Sequence, residues 1–530
     1  MAMLRLVPLV AFVCACASAP PPGPVSPSAP GPAPSAPPDA HAAKQQPKAK
    51  PIVPAAVPAP PAACAEFVAH ATSGCAPAGP ARPALAAALV KDDAAVRDAA
   101  LACLETSEEL PFGSVRALRA ELAPAACGDA LVTPVLEAPA KPLGVELEST
   151  LSGLMVAARF SRLLADPPKL EGAVDKQRFM SFFVERLSPW VLSEAAAIEK
   201  LSAEGAHLTG YGRGVAAIAA GNADLRFVQM VREVPLPDEM KADQSVVDAY
   251  YGELDQALEP RKVRGRDAAL VGLRAFAELG ALSDPRVASA RTLLNELWAG
   301  SHIDALDRLI LPPLEPLDAS SPELVLAARL PTYYAKTWLA ELDSSDAKVL
   351  RALLERGVPA AYRARLDAAK LSEQARSLYA RALVQSGRQF FRASDFKHAR
   401  DVLGASPSGE LARLLAALAQ ALENGPADAT QLMLKGPFVR GTGDVSALDA
   451  EAARRGHFAG YAAFDAALVL ALAPKQDDAT FWDGLAKRFE RAEKLLAAEP
   501  RPPAELAGKR VHEFAEGARS TAAALRGQRP

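Results

Sequence analysis

Aromatic residues are scarce in this chain, only 6% of its 530 residues, although hydrophobic residues as a whole reach 50%. Alanine and leucine must therefore supply most of any buried surface, and both lead the scale of helix propensity. Strand material is also short: β-branched runs alternating with polar residues are nearly absent. There is no basic excess either, since 59 Lys and Arg stand against 62 Asp and Glu for a net charge of −3. Neutralising a phosphate backbone requires such an excess, so nucleic acid is not an expected partner. No Cys-x-x-Cys pair offers a zinc knuckle. The seven histidines, His41, His70, His207, His302, His398, His457 and His512, are scattered without a local ligand pair. His512-Glu513 opens like a zinc-protease helix, but Glu516 stands where the second histidine is needed. No Gly-x-Ser-x-Gly elbow occurs. Catalysis, a cofactor and a metal are therefore not expected.

A length of 530 residues exceeds what one compact core usually organises, which favours several domains or an elongated array. At the amino terminus, Arg5 precedes the apolar stretch Leu6–Val13, too short to cross a bilayer as a stable helix and typical of a secretory signal. The residues that follow, Val13-Cys14-Ala15-Cys16, resemble the lipobox of bacterial lipoproteins: an aliphatic residue, two small residues and a cysteine. That resemblance implies a signal peptide over residues 1–15 and lipid attachment through the Cys16 thiol. With more than one acyl chain, at about 0.8 kcal/mol per buried CH₂, anchoring would be stable. Ala17 rather than Asp follows the cysteine, which in such lipoproteins is compatible with the outer membrane, the body facing the periplasm. The rival is an ordinary cleavage site at Ala17-Ser18-Ala19, which would leave a secreted or soluble periplasmic chain.

Residues 16–62 are dominated by Pro, Ala and Ser, as in Pro20-Pro-Pro-Gly-Pro-Val-Ser-Pro27, and cannot form a packed core. Such a disordered tether would reach ~140 Å fully extended and nearer ~40 Å as a coil. A spacer and an unselected low-complexity leader are both consistent with it. Residues 63–140 form a small helical segment bearing Cys64, Cys75, Cys103 and Cys127, which in an oxidising compartment read as disulfide partners. Pairing along the chain, Cys64 with Cys75 and Cys103 with Cys127, is the expectation among three possible connectivities. Pro83–Leu104 and Ser114–Leu122 read as its two helices.

Residues 141–530 carry repeated helix punctuation. Asp284-Pro285 sets a capping carboxylate before a first-turn proline, and Val287, Ala290, Leu294, Leu297 and Trp298 then share a face up to Gly300. From Asp243, residues Val247, Tyr250, Tyr251, Leu254 and Leu258 keep helical spacing until Pro260, which is read as the stop. Further helices are expected over 150–164, 175–187, 215–231, 265–279, 323–342, 347–356 and 481–496. Internal breaks are expected near 311–322 and 435–446, at Leu311-Pro312-Pro313 and Lys435-Gly436-Pro437. Gly210-Tyr-Gly212-Arg-Gly214 lacks the preceding strand of a phosphate-binding loop and reads as a loop between helices. Gly441-Thr442-Gly443-Asp444 reads as a turn with Asp444 capping the next helix.

One unit, Ala382–Pro407, resembles a tetratricopeptide repeat, with Gly387, Phe390, Phe396, Ala399 and Leu403 at its packing positions and Asp395 at the turn. The match covers about 26 residues, and no regular succession at a period of roughly 34 residues extends it. The expected fold is thus all-α, an irregular α-solenoid of helical hairpins, with a compact bundle as the alternative. The resemblance implies a scaffold gripping an envelope protein or extended peptide on its concave face, with Arg388, Gln389 and Lys397 as candidate contacts. A carrier or sensor would instead need a closed cavity of several hundred Å³ for an apolar small molecule or lipid. A hydrolase would need clustered carboxylates or histidines with perturbed pKa values.

Overall fold

A computed structural model describes residues 52–70, 75, 79–163, 168–172, 174–298, 305–317, 320–331, 334, 338, 346–357, 366–424, 444–454, 456–472, 478–498 and 509–527. Cys16, the signal segment, most of the tether, Lys435-Gly436-Pro437 and Gly441–Gly443 lie outside them. The described residues are all-helical, with an isolated bridge between Ala281 and Gly357. None of their helices is long and apolar enough to cross a membrane.

The cysteine-bearing segment contains α1 (Cys64–Ala69), α2 (Ala81–Leu89), α3 (Ala94–Ala102), α4 (Ser114–Leu122) and α5 (Gly128–Glu137). The stretch expected as one helix over 83–104 is two, because the Asp93 carboxylate accepts from Val96 N and starts a new helix. The cysteines do not pair along the chain: Cys64 bonds Cys127 and Cys75 bonds Cys103, each with Cα atoms 5.2 Å apart. Pairing follows packing here, since α1 lies against α5 and the turn at Ala125–Cys127 while α2, α3 and α4 occupy the intervening sequence.

A bundle follows, of α6 (Val145–Leu163), α7 (Lys176–Phe182), α8 (Ser188–Ala206), α9 (Gly210–Arg232), the single turn α10 (Asp238–Lys241), α11 (Gln244–Leu279) and α12 (Pro285–Leu297). A π-helical turn, Phe183–Leu187, joins α7 directly to α8. Helix α9 is central and packs against α6, α8, α11 and α12. Its backbone approaches those of its neighbours closely. A Cβ on Gly212 would lie 1.8 Å from the Ser149 carbonyl oxygen, and one on Gly221 would lie 2.6 Å from Ala269 N. Gly210, Gly212 and Gly214 therefore open a helix rather than form a loop; Gly212 and Gly214 use their small size for packing against α6 and α11, whereas Gly210 faces open space at φ +52°.

Pro260 likewise does not stop its helix: α11 runs through it for 36 residues. Its second half buries Ala269, Leu270, Leu273, Phe276 and Ala277, and that packing against α9 offsets the roughly 3 kcal/mol cost of an interior proline. Asp284 caps α12 as the sequence suggests, accepting from Arg286 N, and Val287, Ala290 and Leu294 are buried while Leu297 is half-buried.

The carboxyl-terminal part comprises α13 (Pro322–Arg329), α14 (Ala347–Arg356), α15 (Glu373–Phe390), α16 (Ala393–Leu403), α17 (Glu410–Leu422), α18 (Ser446–Ala453), α19 (Ala459–Leu472), α20 (Ala479–Ala497) and α21 (Lys509–Gly527). Each packs against the next, and α15, α17 and α19 also form a row. In the α15–α16 hairpin a Cβ on Gly387 would lie 2.8 Å from the Phe396 ring, and Phe390, Phe396, Ala399 and Leu403 are buried. Ser386 Oγ donates to Asp395 at 2.6 Å and fastens the hairpin from inside. One apolar core runs from Cys64 to Ala518, and a second lies around Phe160, Ile198 and Phe227 between α6, α8 and α9.

Candidate functional site

Arg162 stands in the last turn of α6 and is 6% exposed. Its guanidinium grips Asp129 with Nη1···Oδ1 2.7 Å and Nη2···Oδ2 2.6 Å, and donates to the Ala126 carbonyl at 2.7 Å. Its Nε donates to the Pro58 carbonyl at 2.8 Å. Pro58 belongs to the end of the proline-rich tether, of which residues 54–60 lie over α6 and α8. Ala55 N donates to the Ser193 carbonyl at 2.9 Å. Ala55 and Val57, two residues apart, turn inward against the core around Phe160, while their neighbours are exposed. An open cleft of about 470 Å³ remains beside this segment, walled by Pro54–Pro60 on one side and by Arg159, Ala197, Lys200 and Glu204 on the other.

A second extended segment, Leu309–Leu317, is held between helices in the same manner. Arg388 Nη1 donates to the Leu309 carbonyl at 2.9 Å, Arg381 Nη2 to that of Pro312 at 3.2 Å, and Arg351 to that of Glu315. Prolines cannot donate and extended chain makes no internal hydrogen bonds, so its carbonyls need donors from elsewhere. The guanidinium fork supplies several donors from one buried side chain. Burial, with Arg388 and Arg351 nearby and only partly offset by Glu355, lowers the Arg381 guanidinium to about 10. On the other side of the segment, Asp465 Oδ1 accepts from Ile310 N at 2.9 Å. Asp465 is fully buried on α19, and burial raises its carboxyl to about 8.

The residues singled out as partner contacts divide. Arg388 and Gln389 face inward, Gln389 Nε2 donating to the Leu282 carbonyl at 2.7 Å, and with Arg291, Asp307, Glu355 and Gln385 they line an open polar cavity of about 150 Å³. Both therefore serve the chain's own segments. Lys397 is exposed on α16.

Other charged clusters join elements together. Arg119, 1% exposed, bonds Asp98 and Glu105 and donates to the Phe67 carbonyl at 2.8 Å, tying α1, α3 and α4. His70 Nδ1 lies 2.7 Å from Asp98 Oδ2, but that carboxylate already carries Arg119. Arg286 bonds Glu121 at 2.7 Å, Asp284 at 3.1 Å and the Tyr211 hydroxyl at 3.1 Å, fastening α12 to α4 and α9. Burial raises Asp284 against the opposing pull of Arg286. Among the described residues no cluster of three His, Cys, Asp or Glu could hold a metal ion.

The tether groove was not legible locally, because Arg162 and Pro58 are 104 residues apart. The one signal was a pair of arginines, Arg159 and Arg162, at the end of an apolar helix. Compared with family models, with curated proteins and with solved structures, the chain finds no match in any of the three.

Proposed function

We propose that this chain is a lipid-anchored envelope protein, attached through Cys16 to the outer membrane, whose periplasm-facing helical array acts as a scaffold for protein–protein interaction. The array is read as an irregular, tetratricopeptide-like α-solenoid, in keeping with the α15–α16 hairpin and the succession of helices that follows it. One observation carries the reading. The protein twice holds an extended, proline-containing stretch between helices through arginine donors aimed at backbone carbonyls. Grooves that bind extended chain in this way suit an extended segment of an envelope protein equally well.

The test has two arms. Expression in a Gram-negative host, followed by intact mass and detergent partitioning, should give a lipidated chain beginning at Cys16, and Cys16→Ala should abolish lipidation. Photo-cross-linkers placed along α16, α18 and α20 should then capture a defined envelope protein. A soluble, unmodified chain would overturn the anchoring, and the absence of any cross-linked envelope protein would overturn the scaffold.

A further inference from the structure

We infer that the groove between α6 and α8 is a recognition site for extended Pro/Ala-rich polypeptide, kept occupied in cis by residues 54–60 of the tether. The inference rests on the reading of the molecule as a binding protein, and names one groove and the chemistry of its occupant.

The bound tether segment defines that chemistry. The segment Pro54-Ala-Ala-Val-Pro-Ala-Pro60 makes one backbone donor bond, from Ala55 N to Ser193 O, and accepts one from Arg162 at Pro58 O. Its two inward side chains, Ala55 and Val57, are small and apolar and pack against the core around Phe160. Proline at 54, 58 and 60 fixes φ and reduces the entropy lost on docking. Recognition is thus by main-chain bonds at fixed spacing with two small apolar contacts, a pattern that many Pro/Ala-rich sequences meet.

Occupancy in cis follows from the connection to the body. Pro58 lies six residues before Cys64, whose disulfide to Cys127 places the segment beside Arg162, because Arg162 also bonds Ala126 O and Asp129. So short a link gives an effective concentration of order millimolar or above. Most of the segment's side chains are nevertheless exposed, so the contact is shallow and can be exchanged. A partner's Pro/Ala-rich stretch, presented at high local concentration, would replace the tether segment and free it.

The test uses the full chain with residues 54–60 replaced by Gly-Ser repeats and all four body cysteines retained. A fluorescein-labelled peptide of residues 52–62 should bind this variant saturably by anisotropy, and the unaltered chain more weakly by a factor of one plus the effective concentration over the peptide's Kd, about tenfold for a Kd of about 0.1 mM against about 1 mM. Peptides carrying Val57→Asp or Ala55→Pro should each lose at least tenfold in affinity, and these changes leave the protein untouched. Should the variant not fold, hydrogen exchange on the unaltered chain gives the answer: millimolar native peptide should speed exchange of the Ala55 amide severalfold. No preference of the peptide for the vacated chain, equal binding of all three peptides, or Ala55 exchange indifferent to peptide would overturn the site. Such a failure with cross-links still formed along the helical array would sink this groove alone, whereas loss of those cross-links with peptide binding intact would sink the array.

Discussion

Gly212 and Gly252 both sit within helices, yet a methyl group at each would meet opposite surroundings. At Gly212 it would fall on the Ser149 backbone, whose hydroxyl also bonds Thr209, so neither helix can yield without breaking that join. Gly212→Ala is expected to lower stability by about 3 kcal/mol or more, read from the urea midpoint. At Gly252, exposed on α11 with no atom within 4 Å, Gly252→Ala should raise it by about 0.5–1 kcal/mol. Asp465 offers a second test at this scale. Its folded carboxyl titrates at about 8, against about 3.9 in an unfolded chain. A raised value means that the native state holds the extra proton, so its contribution is full below pH 4 and is lost as pH rises to about 8. Asp465→Asn keeps an acceptor for Ile310 N and cannot ionise. Its stability relative to the unaltered protein should therefore climb between pH 5 and 8 and level off above, and a difference independent of pH in urea titrations would contradict the assignment.

The elements show where local signals are strong and where packing overrides them. The Asp284 cap is legible in the sequence, and Asp243, Asp346, Ser372 and Asp478 act in the same way, each accepting a backbone N–H at a helix start, because a short polar side chain there satisfies an orphan donor. Proline was misread at 260, where the surface buried against α9 outweighs the missing hydrogen bond. Pro260→Ala should accordingly stabilise the protein by about 1–3 kcal/mol, visible as a raised urea midpoint with an unchanged slope. The glycine run at 210–214 differs from its expected loop for a related reason, since local propensity counts glycine as a breaker whereas the contacts of α9 with α6 at Gly212 and with α11 at Gly214 favour it.

For the whole molecule, the two disulfides are the covalent ties between distant parts of the amino-terminal segment. Peptide mapping without reduction should yield Cys64–Cys127 and Cys75–Cys103 fragments and no Cys64–Cys75 fragment. On the chain-entropy scale, replacing Cys64 and Cys127 by serine, which opens a loop spanning 63 residues, should cost about 4 kcal/mol. The shorter loop of 28 residues closed by Cys75 and Cys103 should cost about 3.5 kcal/mol. The sequence by itself determined the all-helical class and several helix starts. Each of these follows from propensity, capping or composition, which act over a few residues. Only the tertiary structure decided which cysteines meet, that α9 is the central helix, and that Arg162, Arg381 and Arg388 turn inward to hold extended chain. Those outcomes depend on groups 63, 104 or 69 residues apart coming together, and their spacing in sequence carries no periodic trace of it.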